Sequence, residues 1–299
     1  MIFTDFTQLV GGTPCGLFRP TESAKARIWI KLEGFNPSGS VKDRAGLYNI
    51  KGAIERGSLV PGKTILDASS GNMACALAYF GAILGYPVVV VCSSKLTADK
   101  AQFIRYYGAQ LVVSGDFTIE GNSHCIEKIV PEAPEKYAFL DQLRNWDNPR
   151  AHYETTGPEI LTDFPDVQAV VDSLGSGGTM NGVARYIKEH RPATRIVAVE
   201  AAVGTKIPGT GAFSDGDFVT PFIEQLWNGG LVDSRRHVNL SDAEKRTREL
   251  AAQGFFCGIQ TGGVVHAAVR EAIDNDLSGD ILVISGDAGW KNMDKLVSL

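Results

Sequence analysis

Asn36-Pro37-Ser38-Gly39-Ser40-Val41-Lys42-Asp43-Arg44 sets one lysine among small polar residues just after a β-like run, Arg27 to Leu32. Such a setting, ahead of a helical pattern from Lys42 to Gly57, suits a lysine that bonds covalently to a carbonyl group. Read alone, Lys42 serves equally well as a surface lysine, the commoner fate of this residue. Two further segments weigh against that reading.

The first is Ser69-Ser70-Gly71-Asn72, between the apolar run Thr64-Ile65-Leu66 and the Ala-rich stretch Met73 to Phe80. Strand, hydroxyl-rich turn, then helix aims backbone N–H groups and the positive end of a helix dipole at one point, where an anion is favoured by roughly 0.3–1 kcal/mol. The second is Gly175-Ser176-Gly177-Gly178-Thr179, between the apolar run Val167 to Leu174 and a helical pattern from Asn181 to His190. Glycines let the backbone close on a phosphate, and Ser176 and Thr179 add hydroxyl donors. No Gly-Lys-Ser/Thr ending follows, so this is not a P-loop, and no dinucleotide fingerprint is present. A reactive lysine, a carboxylate-sized cradle and a phosphate cradle form a coherent set.

Together the three segments resemble the signatures of the cysteine synthase and cystathionine β-synthase family, pyridoxal-phosphate enzymes of fold type II. The family's Asn-Pro-x-x-Ser-Val-Lys-Asp-Arg is matched from Asn36 through Arg44, and the similarity runs from Gly12-Thr13-Pro14 to Ser285-Gly286-Asp287. The resemblance implies an α/β protein like the tryptophan synthase β-subunit, with two three-layer lobes and pyridoxal 5'-phosphate in the cleft between them. The smaller lobe is expected over residues 35–144, and the larger over 1–34 and 145–299. Lys42 is expected to bond the cofactor and to move the Cα proton. Asn72 resembles the asparagine facing the cofactor's 3′-oxygen, Gly175, Ser176, Gly177, Gly178 and Thr179 its phosphate loop. Ser69, Ser70 and the backbone at Met73 resemble the clamp on the substrate carboxylate, with Gln142 as a second contact or, alternatively, a polar loop residue capping the next helix. The implied reaction is β-replacement on O-acetylserine or O-phosphoserine through an α-aminoacrylate, with sulfide as default nucleophile. The implied partners are small molecules, with a homodimer and a cytoplasmic setting.

Three departures bear on specificity. Met73-Ala74 stand where the family has Thr-Gly, which removes a hydroxyl and is expected to make the pocket wall bulkier. Gly258-Ile259-Gln260-Thr261-Gly262 replaces Gly-Ile-Ser-Ser-Gly, so Gln260 or Thr261 is left to face the pyridine nitrogen. Ile207-Pro208-Gly209-Thr210-Gly211 ends a shorter connection, with Gly209 expected beside the cofactor. These changes keep open an amine nucleophile giving 2,3-diaminopropionate-type products, a serine/threonine dehydratase, and an inactive cofactor-binding scaffold. Val41 before the lysine disfavours the dehydratase, which usually carries Phe there.

Composition agrees with a globular enzyme. In 299 residues, 44% are hydrophobic and 21% charged, and a net charge of −5 argues against nucleic-acid or anionic-membrane partners. No apolar run is long enough for a membrane span, and the N-terminus has no signal-peptide pattern. Five scattered cysteines show no zinc or redox spacing, and Cys75 and Cys92 read as small core residues. β-like runs at Thr64–Ala68, Val88–Cys92, Gln110–Ser114, Ala169–Leu174, Arg195–Glu200 and Asp280–Ile284 alternate with helical segments, which predicts parallel sheets covered by helices. Ser241 and Glu244 read as a capping box for the helix after Leu240.

Overall fold

The computed structural model describes residues 2–69, 71–116, 118–297 and 299. The chain forms two compact units, one of Met1–Val10 with Asn36–Asn148, the other of Gly11–Phe35 with Pro149–Leu299. Residues 1–10 thus group with the first unit, whereas the sequence reading gave residues 1–34 to the larger lobe.

The first unit is built on a four-stranded parallel sheet in the order β5-β4-β3-β6. These strands are Gln110–Val113, Val88–Cys92, Thr64–Ala68 and Tyr137–Phe139 respectively. β3 and β4 are buried at every position. That is why they read as unbroken apolar runs: a parallel strand covered on both faces has no solvent side to alternate with. Ile65, Val88 and Val90 point into a cluster with Leu77 and Phe80, and Leu66, Val89 and Val91 point the other way toward Cys125. β6 has only three residues, too few for a period-2 pattern, and it escapes a reading by periodicity.

Helices α1 (Lys42–Glu55) and α2 (Asn72–Leu84) pack closely in this unit. A Cβ on Gly46 would lie 3.0 Å from Ala76 Cβ and 3.6 Å from Met73 Sδ. The Met73 side chain is therefore buried between the two helices. This corrects the expectation that Met73 thickens a pocket wall: at the second position of α2, its side chain turns into the core.

The second unit carries a six-stranded sheet in the order β1-β2-β10-β7-β8-β9. Its strands are Cys15–Phe18, Arg27–Leu32, Asp280–Ser285, Ala169–Ser173, Arg195–Ala201 and Ser234–Val238. Only β1 pairs antiparallel. β9 reads Ser-Arg-Arg-His-Val and gives no strand signal in the sequence. Its arginines are held by carboxylates instead: Arg235 by Glu200, and Arg236 by Glu271 and Asp274. Charge on an edge strand also discourages pairing with another chain.

The helix expected from Gly263 begins four residues earlier, spanning Ile259–Asp274. Gly262-Gly263 looks like a helix breaker, but here it is a packing device. A Cβ on Gly262 would fall on Thr247 Oγ1 and the Ala243 carbonyl of the neighbouring Leu240–Ala252 helix. That neighbour starts one residue before Ser241 and has Asn239 at its N-cap, with no side-chain capping bond, so the expected Ser241–Glu244 box is not formed. The segment expected as one helix over Asn148–Asp163 is helical at Asp147–Ala151 and Gly157–Asp163, with a π-type turn at His152–Thr156 between them.

Gly262→Ala is expected to cost roughly 1–3 kcal/mol through overpacking. Urea melts of the two proteins, compared by midpoint at constant slope, check this value.

Candidate active site

In each unit the candidate residues stand where a parallel strand ends and a helix begins, the usual place for ligands in open α/β sheets. In the first unit, Lys42 is the first residue of α1, and its backbone N–H donates to Ser40 Oγ (3.3 Å). The loop before it is locked by Asp43, which is fully buried and accepts from Ser38 N (2.6 Å) and from Ser38 Oγ. The Asn-Pro-x-x-Ser-Val-Lys-Asp-Arg pattern thus has a structural part: Asp43 folds the loop that presents the lysine.

β3 runs into the second segment. Ser69 N donates to Val91 O (2.9 Å), holding the turn to the sheet, and Ser69 Oγ accepts from Gly71 N (3.2 Å). Among the described residues the hydroxyl proton of Ser69 has no acceptor, so it can be given to a ligand. Ser70 lies outside the described residues. α2 starts at Asn72 with Gly71 as N-cap and no side-chain cap, so its first-turn N–H groups face outward at the positive end of the helix. A Cβ on Gly71 would meet nothing within 4 Å among the described residues, so there is room beside the turn.

The structure brings Gln142 to this same strand end. Its Nε2 donates to Ala68 O (2.8 Å), its backbone N–H makes a long bond to Asp67 Oδ1 (3.5 Å), and its carbonyl accepts from Asn148 Nδ2 (2.9 Å). Among the described residues one amide proton and the Oε1 acceptor stay uncommitted.

Asp67 was not singled out by sequence, although one carboxylate inside an apolar strand is a visible anomaly. It is fully buried, and burial drives its pKa up to about 8, helped by the nearby Asp141 charge and opposed by N–H donation from Ala68 and Gln142. Its Oδ1 accepts from Ala68 N (2.8 Å), and Oδ2 has no hydrogen-bond partner.

In the second unit, β7 leads into Gly175–Thr179 and the helix Gly178–His190. Gly177 is the N-cap in the left-handed region (φ 81°), and a Cβ there would collide with Ile223. Ser176 O accepts from Thr220 Oγ1 (2.7 Å), the N-cap of the helix Pro221–Asn228, which fixes the loop from beneath. Ser176 Oγ accepts from Gly178 N (3.4 Å), and Thr179 Oγ1 shares a hydrogen with His152 Nε2 (3.3 Å). The N-cap, Gly177, has no side chain to cap this helix. A cradle of backbone N–H groups in which glycine is sterically required suits a phosphate.

Gly209, Gln260 and Thr261 meet at the same end of this sheet. Gly209 has φ 80°, and its carbonyl accepts from Gln260 Nε2 (2.6 Å), which also donates to Ser173 Oγ (2.7 Å). The Gly209 carbonyl oxygen also approaches Gly175, where a Cβ would stand 3.0 Å from it. Thr261 is fully buried with its Oγ1 2.9 Å from Ser285 Oγ. Both groups that the sequence offered as donors to a ring nitrogen are thereby engaged within the protein.

Comparison with known proteins gives the family. Residues 6–286 match the family model described as pyridoxal-phosphate dependent enzyme. The chain belongs to this family. It is 37% identical to cysteine synthase B of Escherichia coli (strain K12) over 272 residues, 90% of this chain and 88% of that protein. Among solved structures, O-acetyl serine sulfhydrylase isoform 3 from Entamoeba histolytica matches with a TM-score of 0.90 at 30% identity, covering 100% of this chain and 92% of that one. The O-acetylserine dependent cystathionine β-synthase from Helicobacter pylori matches with a TM-score of 0.87 at 31% identity, covering 100% of both. The cofactor of this pyridoxal-phosphate dependent enzyme fits the residues present: the glycine cradle at Gly175–Thr179 suits its phosphate, and Lys42 suits its carbonyl.

The raised pKa of Asp67 sets a pH signature. Between about pH 4 and pH 8 the unfolded chain ionises this carboxyl while the folded chain keeps its proton. Stability from this group is therefore full below about pH 4 and is lost as pH rises toward 8. Asp67→Asn removes the titration. Its stability relative to wild type is expected to rise with pH across this window, on the order of 1 kcal/mol per pH unit. Urea melts at pH 5, 6.5 and 8 test it; a constant difference would refute the buried neutral carboxyl.

Proposed function

We propose that the protein catalyses β-replacement on an activated L-serine, O-acetylserine ahead of O-phosphoserine, with sulfide as the nucleophile and cysteine as the product. One observation carries most of the weight. α1 and α2 pack within their first two turns through Gly46, Met73 and Ala76, so the Lys42 end of one helix and the anion-seeking end of the other belong to a single packed pair. The relatives whose names state a donor use O-acetylserine, which supports the choice of leaving group.

Pyridoxal phosphate, when bound, supplies the electron sink that acidifies the substrate's Cα–H. The rest falls to the chain. Lys42 Nζ would hold the cofactor between turnovers and would take the Cα proton once the substrate is bound. Ser69 Oγ–H and the N–H of Met73 receive the α-carboxylate at the positive end of α2, with Gln142 as a second contact. That anchoring sets Cα–H toward the lysine, the orientation that makes proton transfer effectively unimolecular. Asn72, at the start of α2, would serve the cofactor's 3′-oxygen. Gly175, Ser176, Gly177, Gly178 and Thr179 hold its phosphate, so the cofactor stays while its bond to Lys42 is exchanged. Acetate leaves with the Cβ–O bonding electrons, sulfide adds at Cβ, and Lys42 returns the proton to Cα. No helix among the described residues is long and apolar enough to cross a membrane. The reading carries with it a homodimer and a cytoplasmic setting.

Titration with O-acetylserine, O-phosphoserine, L-serine and L-cysteine, followed by visible absorbance, is the test. O-Acetylserine is expected to shift the band of the lysine-bound cofactor, and added sulfide to restore it with release of cysteine. If no donor moves the band, the inactive scaffold takes precedence; pyruvate without a nucleophile would point to a dehydratase. Lys42→Ala is expected to lose the band and at least 1,000-fold in turnover, measured as cysteine formed. β-Replacement retained in that variant would remove Lys42 from its role.

A further inference from the structure

Ser173 closes β7, two residues ahead of the phosphate cradle. Its surroundings are decided by the side chain of Gln260. A primary amide has two N–H donors. In Gln260 both point to acceptors, Ser173 Oγ at 2.7 Å and Gly209 O at 2.6 Å. The Gly209 carbonyl can only accept, so the amide cannot be turned end for end. Gln260 Oε1 is pressed against Gly286, at a position where a Cβ would have no room. Gln260 therefore has no donor left for a ligand.

Thr261 is no alternative. Its hydroxyl is enclosed between Ser285 Oγ and the Cys257 thiol, in a residue with 0% exposure. Ser285 is itself buried in that pair. Thr261 and Ser285 are bonded to each other, whereas Ser173 Oγ, among the described residues, makes its bond as an acceptor and keeps its proton to offer. Its oxygen accepts from Gln260, which turns its own O–H away from the amide, and its backbone N–H is already held by Asp172 Oδ1 (2.8 Å).

An unprotonated pyridine nitrogen is a hydrogen-bond acceptor and needs a donor when it is enclosed. We propose that Ser173 Oγ–H, not Gln260 or Thr261, is the donor to the ring nitrogen of the bound cofactor. Gln260 is then a positioning residue: it directs the serine hydroxyl and ties Gly209 to the end of β7. The inference rests on the cofactor reading above, with the phosphate at Gly175–Thr179.

The test is the ring 15N chemical shift of labelled pyridoxal phosphate in the reconstituted protein, with cofactor affinity measured alongside. Wild type is expected in the range of a neutral, hydrogen-bonded pyridine. Ser173→Ala moves the signal toward free pyridine and weakens cofactor binding about fivefold, the loss of one neutral hydrogen bond. Ser173→Thr, which keeps the hydroxyl and suits a strand, restores it, and Gln260→Met moves it less than Ser173→Ala does. A pyridinium signal in wild type overturns the proposal. So does an unchanged signal in Ser173→Ala, or a larger shift in Gln260→Met. Protein that never acquires the visible band of lysine-bound cofactor defeats the cofactor reading itself, and the inference falls with it.

Discussion

Two helix N-termini left without side-chain caps are the constraint on which this protein is organised. α2 begins behind Gly71, and the Gly178–His190 helix behind Gly177. In most helices a Ser, Thr, Asp or Asn side chain takes up one of the first-turn N–H groups, at a gain of about 1 kcal/mol. Here glycine stands at both caps. A helix start whose N-cap residue offers no side-chain acceptor favours an anion there, and each of these starts follows within a few residues of a buried parallel strand.

Much of the surrounding packing keeps these two starts in place. In the first unit, Gly46 lets α1 approach the first turn of α2, Ser69 ties the turn to β4, and Gln142 is bonded back to the last residue of β3. In the second, Thr220 grips the Ser176 carbonyl while Ile223 fills the space that a side chain on Gly177 would need. Each support is a polar group with a committed partner or an apolar group at contact distance. Such support is what holds backbone N–H groups in an orientation useful to a ligand.

The fold pays for this arrangement at Asp67. A carboxyl wholly enclosed at the end of β3, one oxygen bonded to N–H groups of Ala68 and Gln142 and the other without a partner, is retained against a desolvation cost. Its bonds join the strand that carries Ser69 to the segment that carries Gln142. The residue serves position rather than stability.

The local patterns were legible in the sequence where burial is complete. β3 and β4 appear there with their observed bounds because a two-faced buried strand is an uninterrupted apolar run, and α2 because an Ala-rich stretch follows a glycine turn. β9 and the three-residue β6 were not legible, since one is an edge strand of arginines and the other is shorter than any period. By itself the sequence determined the family, through three short motifs, and the alternation of strand and helix; the lysine and the two anion-seeking turns were proposed from it, each from residues within about ten positions of one another. Only the tertiary structure decided that Met73 faces the core, that Gly262 is a packing contact, that Asp67 is held neutral, and that the amide of Gln260 is taken by Ser173 and Gly209. Those outcomes depend on partners brought together from distant parts of the chain, as Gln260 and Ser173 are across 87 positions, and no local period encodes such a meeting.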